Sequence, residues 1–127
     1  MKTKFYAPNG CPVVTAIANG PSGSKFIEML VDTGATYSSL NSKLLAELGI
    51  KIDDDKTIIV SATSVVELKI TSVSSIQTLG VVKENMQVIV LDFPEGSVKV
   101  DGVLGVDFFE NKKLNIDFKK HTIEVKA

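Results

Sequence analysis

The chain contains no arginine: all 14 of its basic residues are lysine, set against 15 acidic residues for a net charge of -1. That withdraws the planar guanidinium fork that grips carboxylates and phosphates through two bonds at once, so charged recognition must use lysine or backbone. With a charge near zero and no basic stripe, the electrostatic footprint of a nucleic-acid binder is missing, and nucleic acid is not an expected partner. Cysteine and histidine occur once each, as Cys11 and His121. A single cysteine forms no internal disulfide, and the two residues make no cysteine–histidine metal site, so neither a metal nor a cofactor is expected. Ser-His or Cys-His catalysis would have His121 as its one base, in a lysine-rich strand end, and is set aside. No run approaches the ~20 apolar residues that cross a bilayer, and residues 1–20 lack the apolar stretch of a secretion signal. A soluble, cytoplasmic protein is the default expectation.

What is present suits a single domain. The 127 residues are 44% hydrophobic and 23% charged, enough to bury a real core and too few for a two-lobed enzyme. Without linker, repeat or low-complexity tract, residues 1–127 read as one unit. Short β-rich runs separated by turn residues predict strands at 13–18, 25–31, 57–61, 65–73, 86–91, 114–118 and 122–125. Breaks fall at Asn19-Gly20-Pro21-Ser22-Gly23, around Gly80 and at Phe93-Pro94-Glu95-Gly96, the first a hairpin turn. One helix is marked by Asn41 as its cap, by an apolar stripe of Leu44, Leu45 and Leu48, and by Gly49 after its end. A second helical turn is expected across 106–111. The class is mostly β, with one or two short helices.

One carboxylate is placed unusually. In Leu30-Val31-Asp32-Thr33-Gly34-Ala35 an acid closes a hydrophobic strand, where an unpaired buried charge would cost several kcal/mol, on the order of 3 to 5. Asp-Thr-Gly is also ordinary Asx-turn chemistry, and average composition yields the tripeptide by chance in about 2% of chains this long. A second segment, Asp101-Gly102-Val103-Leu104-Gly105-Val106-Asp107-Phe108-Phe109, sharpens the reading: an apolar pair, a glycine, then a helical turn.

Together the two segments resemble the retropepsin-like aspartic proteases, in which a strand ending Asp-Thr-Gly-Ala and a later apolar-apolar-Gly stretch form the active-site floor. The resemblance extends over 25–125 by order of elements and is nearer to the cellular and bacterial members than to the viral ones, which commonly carry arginine where this chain has Val106. It implies a small closed β-barrel of the retropepsin, or acid protease, type. It also implies an aspartic endopeptidase in which two Asp32 carboxylates, one from each subunit of a symmetric homodimer, share a proton and activate water against a peptide bond. Two acids about 3 Å apart cannot both ionise, as is characteristic of aspartic-protease dyads. By the same resemblance Thr33 ties the two active-site loops across the axis, and Gly34 lets backbone approach carboxylate and substrate. Residues 57–60 and 65–68 become the arms of a flap. Its tip at Ala62, Thr63 and Ser64 departs from the family, because Thr63 stands where a glycine is usual and a β-branched residue resists positive φ. Ala35, Ile59, Ala62, Thr63, Val103 and Leu104 would contact an extended peptide or protein substrate with hydrophobic residues flanking the scissile bond. Individually, Ile59, Val103 and Leu104 read equally well as core.

Other features carry less. Asp53-Asp54-Asp55 suggests calcium, but an EF-hand loop from Asp53 needs glycine and glutamate where Ile58 and Ser64 stand. Gly102-Val103-Leu104-Gly105 has the Gly-x-x-Gly form of a nucleotide clamp without the basic flanks. Two readings other than the protease stay open: a catalytically inactive dimeric module of the same fold that binds extended peptides, and an unrelated small β-barrel adaptor with an incidental Asp-Thr-Gly. Pepsin-like enzymes often place a serine where Ala35 stands, and losing that hydroxyl donor implies activity peaking between about pH 5 and 7. A pH-rate profile with its maximum below about pH 3 would contradict this.

Overall fold

Turn chemistry and side-chain alternation organise the chain. The computed structural model describes residues 1–54, 56–61, 65–94 and 99–127, and the side chains of all of these except 59–61. Among the described residues the strands are β1 (Lys2–Lys4), β2 (Val13–Gly20), β3 (Gly23–Val31), β4 (Ser39–Leu40), β5 (Thr57–Ser61), β6 (Val65–Thr78), β7 (Val81–Val90), β8 (Gly102–Leu104), β9 (Lys113–Asp117) and β10 (Thr122–Lys126), with one α-helix, α1 (Ser42–Glu47), and two short 3-10 turns.

Six strands, in the order β2-β3-β8-β4-β7-β6, form a sheet that β6 closes by returning to β2, through Ile17↔Gln77, Ala18↔Ile76 and Asn19↔Ser75. The result is the expected closed, mostly β barrel. Strand β5 continues from β6 as the outer arm of a hairpin, with Thr57 opposite Lys69 and Ser61 opposite Val65. A separate three-stranded sheet, β1-β10-β9, joins the two ends of the chain.

Alternation decides what the barrel encloses. From β2 and β3 the residues Val14, Ala16, Ala18, Ile27, Met29 and Val31 turn inward and are at most 6% exposed, whereas Thr15, Phe26 and Glu28 turn out. Helix α1 covers one side of this core. Asn41 caps it by accepting a hydrogen bond from Leu44 N (2.7 Å), and Leu44, Leu45 and Leu48 are all buried. The helix stops in a Schellman arrangement: Ile50 N donates to Leu45 O (3.0 Å) and Gly49 N to Ala46 O (3.0 Å). Gly49 has φ +78, the left-handed geometry that a glycine supplies without strain.

Several boundaries differ from expectation for physical reasons. Strand β6 runs on to Thr78 and β7 begins at Val81, rather than at 73 and 86. The joint is a two-residue turn in which Leu79 (φ 56) and Gly80 (φ 76) are both left-handed, a type I′ feature that leucine does not advertise. Strands β1, β4 and β8 were not expected, being two or three residues long and too short to show periodicity. The turn expected over 106–111 is a 3-10 helix, Val106–Phe109, that ends at Glu110, whose ψ of 131 leaves the helical region, with Asn111 following at φ 61. Between β9 and β10, Asp117 Oδ1 accepts from the N–H groups of Lys119 and Lys120 (both 2.9 Å). The Lys120 amide, more than any other group, holds that carboxyl below the usual carboxylate range.

Leu45 is completely buried at the contact between α1 and the barrel. Leu45→Ala should lower unfolding stability by about 2 to 5 kcal/mol, read as a reduced midpoint in urea with little change in slope.

Candidate active site

Strand β3 carries the candidate acid. Val31 turns into the core at 6% exposure, so alternation sends Leu30 and Asp32 to the other face, and Asp32 is exposed. The sheet holds Asp32 from both sides: β3 pairs with β2, and in parallel with β8 through Met29↔Gly102, Leu30↔Val103 and Val31↔Leu104. This parallel ladder continues one step beyond β3, because Asp32 N donates to Leu104 O (3.0 Å). The two segments singled out in the sequence therefore lie side by side, tied further by Glu28 N to Asp101 Oδ2 (2.9 Å) and Asp101 N to Glu28 O (2.8 Å), across 73 residues.

The chain then turns back. Ala35 N donates to Asp32 O (3.1 Å), and Gly34 N donates to Asp32 Oδ1 (2.9 Å). This is the Asx-turn chemistry anticipated for Asp-Thr-Gly, and it fixes one carboxylate oxygen while leaving the group exposed. Thr33 and Gly34 are exposed beside it, and Ala35 is half-buried. Ala35 O accepts from Val106 N (2.9 Å), which joins the turn to the start of the 3-10 helix.

A second tie was not anticipated. Ser38 is fully buried, and its hydroxyl donates to Asp107 Oδ1 (2.7 Å) and accepts from Gly105 N (3.0 Å). Ser38 N also donates to both carboxylate oxygens of Asp107 (3.0 Å each). One serine thus satisfies the backbone of the second glycine and one carboxylate of the adjoining turn. No spacing rule could have joined Ser38 to a partner 69 residues away. Gly105 has a packing reason to be glycine, since a Cβ there would lie 2.7 Å from Ala35 O and 2.9 Å from the Tyr37 carbonyl carbon.

The remaining candidate residues are distributed unevenly. Val103 (7% exposed) lies beside Leu30 on the face that Asp32 shares. Leu104 is wholly buried within the main core, on the opposite face. Ile59 sits in β5 opposite Glu67, its side chain outside the described set, and Ala62 and Thr63 lie outside the described residues altogether. Among the described residues no three of His, Cys, Asp and Glu gather as a metal cage, and no helix is long and apolar enough to cross a membrane.

Ser38→Ala would leave the Gly105 N–H without its partner in a buried setting and would remove one of two bonds to Asp107 Oδ1, which keeps the bond from the backbone N–H of residue 38. It should cost about 1 to 3 kcal/mol in chemical unfolding, and hydrogen exchange at the Gly105 amide should accelerate.

No curated protein sequence matches the chain significantly. The fold is similar to the crystal structure of a retropepsin-like aspartic protease from Rickettsia conorii, at 20% identity and a TM-score of 0.65, covering 100% of this chain and 94% of that one. It is also similar to the retroviral protease-like domain of Ddi1 from Leishmania major, at 15% identity and a TM-score of 0.52, covering 98% and 92%. The family model for aspartyl proteases matches residues 14–108, a span that holds Asp32, its turn, and both glycines of the 102–105 segment. With that match over most of its length and this barrel, the chain belongs to the aspartyl protease family and has the retropepsin-like fold.

Proposed function

We propose that this protein is an aspartic endopeptidase that acts as a symmetric homodimer. The observation that carries the reading is the exposed Asp32 carboxylate, held at one oxygen by Gly34 N–H and seated on a floor made by two distant segments. Aspartic proteolysis needs two such groups sharing a proton. One carboxylate takes a proton from the water that attacks the peptide carbonyl, and the other donates to the substrate. Each chain supplies one, and a twofold axis near Asp32 supplies the second from the partner. The titration then belongs to the pair.

The architecture supports this in two further ways. The β5–β6 hairpin is the element expected to close over substrate and exclude water. The three-stranded sheet β1-β10-β9 has two edge strands, each able to accept another strand through backbone hydrogen bonds, and a chain without arginine must hold a partner by such bonds, packing and lysine. In this assembly Thr33 ties the two loops, while Ala35, Ile59, Ala62, Thr63 and Val103 serve the substrate subsites, and Leu104, buried in the core on the opposite face, supports the floor rather than touching substrate. Residues 1–127 work as one domain.

Wild type and Asp32→Asn are to be incubated with a diverse pool of unfolded peptides from pH 3 to 8, with and without a statine-type inhibitor. Cleavage should be lost by on the order of 10³-fold or more in the variant and blocked by the inhibitor. Random exchange of equal amounts of the two subunits should cut activity to about a quarter of the undiluted value, since only wild-type pairs are competent. A monomer in sedimentation equilibrium, or cleavage that survives Asp32→Asn, contradicts the proposal. Peptide binding without cleavage would favour a non-catalytic module.

A further inference from the structure

The face that carries Asp32 has a composition of its own. Reading across the barrel in register, one residue from each strand forms a continuous row: Val13, Leu30, Val103, Ser39, Ile89 and Ile70. Leu30 lies two residues before Asp32 and shares its face by alternation. The row ends at Ile70, at the base of the β5–β6 hairpin, where Ile70 N donates to Lys56 O (3.0 Å). Val13, Val103 and Ile89 are buried, at 4%, 7% and 6% exposure, yet they stand outside the main core cluster. They belong to the Asp32 side of the sheet.

Ser39 is the exception in this aliphatic row. Its residue is 3% exposed, and among the described residues its hydroxyl is the one buried side-chain polar atom without a hydrogen-bond partner. Its neighbour Ser38 points the other way and is fully bonded. Buried polar groups are nearly always paired, so an orphan hydroxyl on the substrate side of a candidate active site calls for a reason. Serine is also shorter than the valine and isoleucine paired with it on either side. The hydroxyl is already stripped of water, so a ligand group that bonds it gains the bond with no further desolvation on the protein side.

We infer that Ser39 is a specificity-determining residue, which selects a substrate with a short hydrogen-bonding side chain, such as threonine, serine or asparagine, at one subsite in an otherwise apolar cleft. The inference rests on the proposal that the Asp32 face receives an extended peptide. Ser39 lies two strands from β3, about 10 Å to the side of the Leu30–Asp32 line. At about 3.3 Å per extended residue, that places the selected side chain within about three positions of the scissile bond.

The test uses paired peptides that carry threonine or valine, which are nearly isosteric, at each of the three positions on either side of the cleaved bond. Cleavage is measured as kcat/KM with wild type and Ser39→Ala, and binding with Asp32→Asn alone and combined with Ser39→Ala. At one position wild type should favour threonine over valine by about 3- to 10-fold, the range of one neutral hydrogen bond. Ser39→Ala should bring that ratio to one or below while leaving the ratios at the other five positions unchanged, and should melt at or above the wild-type temperature. Cleavage with no threonine preference at any position, or a preference that survives Ser39→Ala, overturns the role of Ser39 and leaves the protease reading intact. A Ser39-dependent threonine preference seen in binding without any cleavage supports Ser39 and overturns the protease reading. Neither binding nor cleavage of any pair overturns both.

Discussion

The three-residue parallel ladder between β3 and β8 is the contact on which the remainder of the candidate site depends. It is short, the last three residues of β3 against the whole of β8, so it would have little stability in isolation. Its strength comes from what surrounds it. Strand β4 covers the other edge of β8 through Ser39↔Val103 and Leu40↔Gly102, and Leu104, Met29 and Leu40 are completely buried beneath. The core therefore fixes the ladder, and the ladder fixes the height and direction at which Asp32 leaves the sheet.

Polar ties refine what packing sets. Gly34 N–H orients one Asp32 oxygen, and the Ser38 hydroxyl connects Gly105 to Asp107 behind the turn. The two adjacent serines illustrate how alternation divides labour along a two-residue strand. Ser38, just before β4, turns to the loops and is saturated with hydrogen bonds, whereas Ser39 turns to the Asp32 face and has none. A one-residue slip of β4 would turn Leu40, completely buried in the main core, out to the Asp32 face. The register of a two-residue strand is thus specified by its side chains as much as by its backbone bonds.

Much of the fold was legible in the residues. Asn41, the three leucines and Gly49 marked α1, because caps and an apolar stripe are local features that a short segment carries by itself. The β2–β3 hairpin was marked by its Gly-Pro-Ser-Gly turn, and the β5–β6 hairpin by its two β-rich arms. The β6–β7 joint was less visible because leucine occupies a left-handed position usually held by glycine or asparagine. Strands β4 and β8 carried no periodic signal, since two or three residues complete no pattern that a sequence can show.

The sequence by itself determined the chemistry on offer: one Asp-Thr-Gly acid, no arginine and one histidine. Those are matters of composition and of neighbours along the chain. Only the tertiary structure decided which distant residues meet. It set Leu104 in the core and Val103 on the Asp32 face, paired Ser38 with Asp107, and left Ser39 buried without a partner. The reason is that facing in a β-sheet follows from register across strands, and the register of β3, β8 and β4 is settled by the burial of the whole barrel rather than by any property of those few residues alone.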